Sequence, residues 1–115
     1  MTRGKIVLTP FPFTDLTASK TRPAVVVSET ARIGVDVILA FISSVYDSSR
    51  LLPTDELLEM SDADFALAGL KKNSVFKMDK VATIDGSIIL GEMGETSPTL
   101  QAKLDAKLKI ALALK

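Results

Sequence analysis

Of the 115 residues none is histidine and none is cysteine. Thiolate nucleophiles, imidazole bases, zinc sites built on sulfur or imidazole, and Ser-His-Asp triads are therefore excluded. Any chemistry falls to Arg, Lys, Asp, Glu, Ser, Thr or the one tyrosine, Tyr46. Three places stand out by residue type and spacing. Arg22 lies between a polar run and Pro23, just ahead of the apolar run Ala24–Ser28. A guanidinium beside a rigid proline can project into solvent and fork around a phosphate. Ser43 follows the apolar run Val37–Ile42, where a hydroxyl at a strand end can donate to a phosphate oxygen as charge develops on it. Lys77 and Asp79 stand two apart, which in a regular strand puts them on one face. Each place also has a plainer reading. On the residues alone, Arg22 fits better as a surface arginine paired with a carboxylate, Ser43 as a turn residue, and Lys77, Asp79 and Lys80 as the solvated charges of a hairpin.

The elements that must position these groups are mostly strands. Short β-rich runs separated by turn chemistry cover Lys5–Thr9, Ala24–Ser28, Asp36–Ile42, Ser74–Met78, Val81–Ile84 and Ser87–Leu90. Pro10–Pro23 is too rich in proline and small polar residues for a central strand or helix and reads as a long surface loop, a length uncommon in a small domain without a function. Its Phe11 and Phe13 can offer faces for a base to stack on. With five phenylalanines in the chain, use in the core is the better reading. Thr14 and Asp15 read as loop-shaping groups. Asp55–Met60 alternates weakly, as an edge strand would. Ser61 is placed to cap a short helix over Asp62–Leu67 that ends at Gly69. The final helix is the clearest: Ser97 as N-cap, Pro98 in the first turn, and Leu100, Leu104, Leu108, Ala111 and Leu112 along one side, with Lys103, Lys107 and Lys115 facing away. Several short antiparallel strands and one C-terminal amphipathic helix predict a mainly β chain: one domain over residues 1–115, a small strongly bent sheet or partly open barrel whose apolar opening the helix covers.

Hydrophobic residues make up 47% of the chain and charged residues 24%, with 14 basic against 14 acidic groups. That composition is one of a folded globular chain, long enough to need neither disulfide nor metal. Zero net charge argues against coating nucleic acid non-specifically and leaves room for a local basic site. Asp55, Glu56, Glu59, Asp62 and Asp64 form an acidic stretch, and Lys71, Lys72, Lys77 and Lys80 a basic one; both read first as solvated faces. The longest apolar stretches, such as Val37–Val45, fall short of the roughly 20 residues that span a bilayer. No long apolar signal segment precedes Lys5, so the cytoplasm is the expected location.

Four segments in order carry a resemblance. They are Gly4–Leu16; Lys20-Thr21-Arg22-Pro23-Ala24-Val25-Val26-Val27-Ser28; Val37–Ser44; and Gly69-Leu70-Lys71-Lys72-Asn73-Ser74-Val75-Phe76-Lys77-Met78-Asp79-Lys80-Val81-Ala82-Thr83-Ile84-Asp85. Together with the final helix they resemble the PemK/MazF family of toxin endoribonucleases over essentially the whole chain. The resemblance implies an SH3-like, PemK/CcdB-like small barrel with a C-terminal helix. It also implies a homodimer that cuts single-stranded mRNA sequence-selectively without metal or other cofactor, and a cognate antitoxin that neutralises it. At the matching positions it makes Arg22 catalytic, reversing the plainer reading. It puts a usual threonine where Ser43 stands, and an arginine and an aspartate, in one branch of the family, where Lys77 and Asp79 stand. Serine keeps the hydroxyl and loses a methyl that fixes its rotamer. Lysine keeps the charge without the bidentate fork, which leaves phosphate gripping mainly to Arg22. The expected site is thus Arg22, Ser43 and Asp79 for catalysis, with Lys20, Thr14, Phe13, Lys77 and Lys80 contacting RNA.

Two rival readings keep the same barrel without the chemistry. A related toxin family of this fold poisons DNA gyrase through the end of its C-terminal helix, and a decayed toxin would only dimerise and bind antitoxin. Arg22 and the Ser43 region match the ribonuclease branch. RNA cutting separates that branch from both rivals.

Overall fold

The computed structural model describes residues 2–10, 20–29 and 36–115. Six strands form one antiparallel sheet in the order β4-β5-β3-β2-β1-β6. They are β1 (Lys5–Pro10), β2 (Thr21–Val26), β3 (Asp36–Ser43), β4 (Asp55–Leu58), β5 (Ser74–Asp85) and β6 (Gly91–Glu95). Helix α1 (Phe65–Ala68) and helix α2 (Pro98–Ala111) complete it. The sheet curls into a half-barrel and does not close, since β4 and β6 are its two outer strands.

Alternation along the strands divides the apolar residues between two faces. Ile6, Val25, Ala40, Ile42, Phe76 and Met78 pack on the face covered by Ala68 of α1 and by Leu100 and Leu104 of α2. Val7, Ala24, Val26, Leu39, Phe41 and Ile84 form the core of the other face. Helix α2 begins as its sequence predicts. Ser97 accepts at its Oγ from the Leu100 amide at 3.0 Å, and Pro98 opens the first turn. Leu100 and Leu104 are buried, whereas Leu112 lies past the helix end and is exposed. Asp105 ties the helix to the chain start, bonding Arg3 and accepting from Gln101 Nε2 at 2.8 Å. Ser97→Ala removes the cap from one amide and is expected to cost about 1 kcal/mol, read as a fall of about 5 °C in thermal unfolding. An unchanged Tm would show that the cap is dispensable.

Strand β5 carries the largest irregularity. Lys77 pairs with Phe41 of β3 and Val81 with Ala40, so Met78, Asp79 and Lys80 have no partners on β3. A bulge of this kind bends the strand and re-aims its side chains. The two runs expected at Ser74–Met78 and Val81–Ile84 are the halves of this one bent strand. On its other side the first half pairs with β4, and the Met78 amide reaches the Thr54 carbonyl at 3.1 Å.

Three local expectations are corrected. The strand expected at Ser87–Leu90 is a 3-10 turn over Gly86–Ile88, because the Asp85 carboxylate accepts from the Ser87 amide at 2.9 Å and starts it. The strand follows at Gly91–Glu95, where two glycines and no β-branched residue hid it. The short helix is not capped by Ser61 and does not span Asp62–Leu67. It covers Phe65–Ala68, because Asp62 turns its carboxylate back onto the Glu59 amide at 2.8 Å, and it ends at Gly69 as expected. Asp55 likewise accepts from the Leu52 amide at 2.9 Å, so two carboxylates of the acidic stretch serve local turns.

Close backbone approach joins α1 to β6. Gly69 has φ +73°, and a side chain there would overlap the Met93 carbonyl; one at Gly94 would overlap the Leu67 and Ala68 carbonyls. Only glycine permits both contacts.

Candidate functional site

The β2–β3 ladder runs from Val26↔Leu39 to Ala24↔Phe41 and stops there, one residue short of Pro23. Proline has no N–H to give to a neighbouring strand. On its other side β2 continues against β1 through Leu8↔Pro23, Thr9↔Arg22 and Pro10↔Thr21. Beyond Ala24 the cleft between β2 and β3 opens, and Arg22 stands in it. Extending the β2–β3 register by two residues sets Arg22 opposite Ser43.

Arg22, Phe41, Ser43, Lys77 and Lys80 wall a cavity of about 180 Å³ there, with Ile42. Alternation accounts for most of this set. Lys77 is registered with Phe41, and Arg22 and Ser43 lie two residues along their own strands from the Ala24–Phe41 pair. Lys80, an exposed residue, joins them across the bulge at Met78–Lys80, a placement that no simple alternation gives. Three cations and no carboxylate stand among the described lining residues. Such a cavity favours an anion and disfavours a divalent metal, whose hard-cation sites need carboxylate or carbonyl oxygens. No cluster of metal-ligating side chains occurs among the described residues.

Ser43 is half-buried and its hydroxyl is engaged. It donates to the Val45 carbonyl at 3.0 Å and accepts from the Val45 amide at 3.1 Å. To donate to a phosphate it must release that carbonyl. Farther along the same loop Asp47 accepts from Ser49 Oγ at 2.7 Å and from its amide at 3.0 Å, bonds that hold its carboxyl below the usual value of 3.8. Asp85 is lowered in the same direction by the Ser87 amide and hydroxyl. Both lowered groups favour folding above their ordinary pKa, and that support is lost as pH falls through the lowered values.

Asp79 is exposed and does not line the cavity with Arg22 and Ser43. Spacing predicted one shared face with Lys77; the bulge at Met78–Lys80 breaks the alternation on which that rested. Lys20 is exposed and lines neither this cavity nor the one beside it. Phe13 and Thr14, with Phe11 and Asp15, lie outside the described residues.

A second cavity of about 240 Å³ adjoins the first, sharing Arg22 and Ile42 with it. Besides Arg22, its polar lining comes from Thr21, Ser44, Lys71, Lys72 and Ser74. Sequence reasoning read the two lysines as solvated charges. The signal available was a lysine pair on a glycine-initiated bend immediately before a strand.

The family model describing PemK-like, MazF-like toxins of type II toxin-antitoxin systems matches residues 2–112. The chain belongs to this family. Solved structures agree with the fold of this MazF-like chain. An endoribonuclease in complex with its cognate antitoxin, from a mycobacterial species, is 22% identical with a TM-score of 0.74, over 98% of this chain and 95% of that one. The Mycobacterium tuberculosis toxin MazF-mt6 is 18% identical with a TM-score of 0.73, over 96% and 98%. A chain of the MazE-MazF complex from Deinococcus radiodurans is 21% identical with a TM-score of 0.72, over 98% and 96%. No curated protein sequence matches significantly. No helix among the described residues of the MazF-like chain is long and apolar enough to cross a membrane.

Proposed function

We propose that this toxin is a sequence-selective, metal-independent endoribonuclease that cuts single-stranded RNA, mRNA above all, by attack of a ribose 2′-hydroxyl on the adjacent phosphate. The carrying observation is the 180 Å³ cavity that Arg22, Ser43, Lys77 and Lys80 line together, with no carboxylate among its described lining residues. A phosphate is the anion whose charge and geometry suit it.

The 2′-oxygen gives up its proton and bonds to phosphorus, and the bond to the 5′-oxygen breaks as that oxygen takes a proton from water, leaving a cyclic phosphate on one fragment and a 5′-hydroxyl on the other. Arg22 stabilises the charge that builds on the phosphorane and assists the departing oxygen. It is not the base, because a guanidinium stays protonated near neutrality and has no lone pair free to accept the 2′-proton. Ser43 adds a hydrogen bond after exchanging the Val45 carbonyl for a phosphate oxygen. Asp79, one residue before Lys80 in sequence, is the carboxylate assigned to take the 2′-proton, a role that requires it to reach the bound RNA from outside the cavity lining. DNA lacks the attacking hydroxyl and is not cut.

Family membership extends the proposal to partners. The toxin works as a homodimer in the cytoplasm, where mRNA is found, and a cognate antitoxin holds it inactive; two of the similar structures were solved as toxin with antitoxin. The test is incubation of purified toxin with a long unstructured RNA and the matching DNA in the presence of EDTA, with the new ends mapped. Cutting of RNA alone, giving 5′-hydroxyl ends at recurring sites, is the expected result. A folded toxin that cuts neither polymer overturns the proposal in favour of a binding module.

A further inference from the structure

We infer that the second cavity is a nucleotide subsite, in which the Lys71–Lys72 bend holds the phosphate adjacent to the scissile one. The inference rests on the ribonuclease reading and adds to it a second point of grip.

The two cavities share Arg22, so a strand whose phosphate sits in the first reaches the second directly past the guanidinium. Across both, Arg22, Lys71, Lys72, Lys77 and Lys80 are the charged lining residues described, all cationic, in a chain whose charges balance overall. A third concavity has the opposite bias, with Glu92 and Glu95 around Lys5. Cations have thus been gathered at one end of the sheet. Neither Lys71 nor Lys72 forms an ion pair among the described residues, whereas Arg3, Lys5 and Arg50 do.

The bend that carries the lysines is fixed by groups other than their ammoniums. Gly69 enters it in the left-handed conformation against the Met93 carbonyl. Asn73 Oδ1 accepts from the Met60 amide at 2.7 Å, and Ser74 Oγ, 3% exposed as a residue, donates to the Lys72 carbonyl at 2.8 Å. Two exposed, uncommitted ammoniums on an anchored main chain suit a phosphate, which a lysine grips as a point charge. Leu70 and Met93 add apolar lining on which a base can lie, with the Thr21 and Ser44 hydroxyls at hand for its edge. At about 240 Å³ the space is below the roughly 300 Å³ at which drug-sized ligand sites begin, so it has room for a short segment of a strand and not for a large ligand.

Phosphate contacts weaken binding alike for all sequences when removed, and each contributes about 0.7 to the salt slope of single-strand binding. The experiment compares the wild type with a Lys71→Gln/Lys72→Gln variant and with a Lys103→Gln/Lys107→Gln control on α2. The probes are a cleavable RNA and the same RNA with a 2′-deoxy sugar at the cut site, whose binding is followed by fluorescence anisotropy across a salt series. Loss of the lysine pair is expected to raise KM and Kd about tenfold and to lower the slope of log K against log salt by about 1.4. Its kcat at saturating RNA stays within about twofold, and the control matches the wild type. A pair variant with wild-type Kd and slope overturns the subsite and leaves the ribonuclease standing. An equal loss in the control reduces the effect to net charge and also overturns it. A fall in kcat at unchanged Kd would assign the lysines to the chemistry and overturn their role as a grip on the neighbouring phosphate. A wild type that neither binds nor cuts RNA removes both readings together.

Discussion

Arg22→Ala is expected to lower kcat for RNA cleavage by about a thousandfold, the scale seen when one donor to a developing oxyanion is removed. The size follows from position. Arg22 is the cation common to both cavities, at the point where Pro23 ends the β2–β3 ladder and the cleft opens. Lys77 and Lys80 remain in the variant, so binding of the uncleavable RNA should weaken far less than turnover. Arg22→Lys separates charge from geometry. Lysine restores the charge without the planar fork, and it should recover a minor part of the lost rate. Single-turnover cleavage in EDTA, with circular dichroism to establish the fold, is the measurement. An Arg22→Ala protein that is folded and cuts at the wild-type rate would remove Arg22 from the site.

Gly94→Ala tests the scaffold instead of the chemistry. The added methyl would lie inside contact distance of the Leu67 and Ala68 carbonyls, and backbone is less able to give way than a flexible side chain. Overpacking of this sort costs about 3 kcal/mol, a fall in Tm of about 10–20 °C for a chain of this size. Gly91 lies on the same strand with nothing within 4 Å of the place its Cβ would take. Gly91→Ala is therefore the matched comparison and should leave Tm within a degree or two. Equal effects from the two substitutions would mean that the α1–β6 approach does not limit stability. Because Met93 lines the second cavity, the Gly94 variant should also weaken RNA binding at temperatures where it is still folded.

What was legible in the sequence and what was not divide along physical lines. Runs whose residues alternate or are uniformly apolar, such as Lys5–Thr9 and Asp36–Ile42, became strands because pattern and propensity agree. Ser97 and Pro98 fixed the start of α2 by local bonds alone. Strand β6 was hidden because Gly-Glu-Met-Gly-Glu has neither signal. It forms because β1 supplies a ladder and its glycines allow α1 to approach. At the site, type and spacing singled out Arg22, Ser43 and Lys77 but favoured plainer readings of each, and only the resemblance turned them toward function; strand register sets the three along one cavity. Asp79 was placed with them by the same spacing rule, which the bulge suspends. Lys80 reaches the cavity through that same bulge, and Lys71 and Lys72 reach theirs through a bend anchored by Asn73 and Ser74. Such placements depend on pairing between distant segments, which no local pattern records.

The unclosed sheet has a consequence for the protein in concentrated solution. Its two rims, β4 and β6, have no strand partner on their outer side among the described residues, and such edges are where another copy could add strand to strand. Asp55 and Glu56 stand on one rim and Glu92 and Glu95 on the other, with Lys5 offsetting part of the second charge at 3.7 and 3.8 Å. Rims of the same sign repel, so the acidic residues act as a guard against runaway polymerisation at neutral pH.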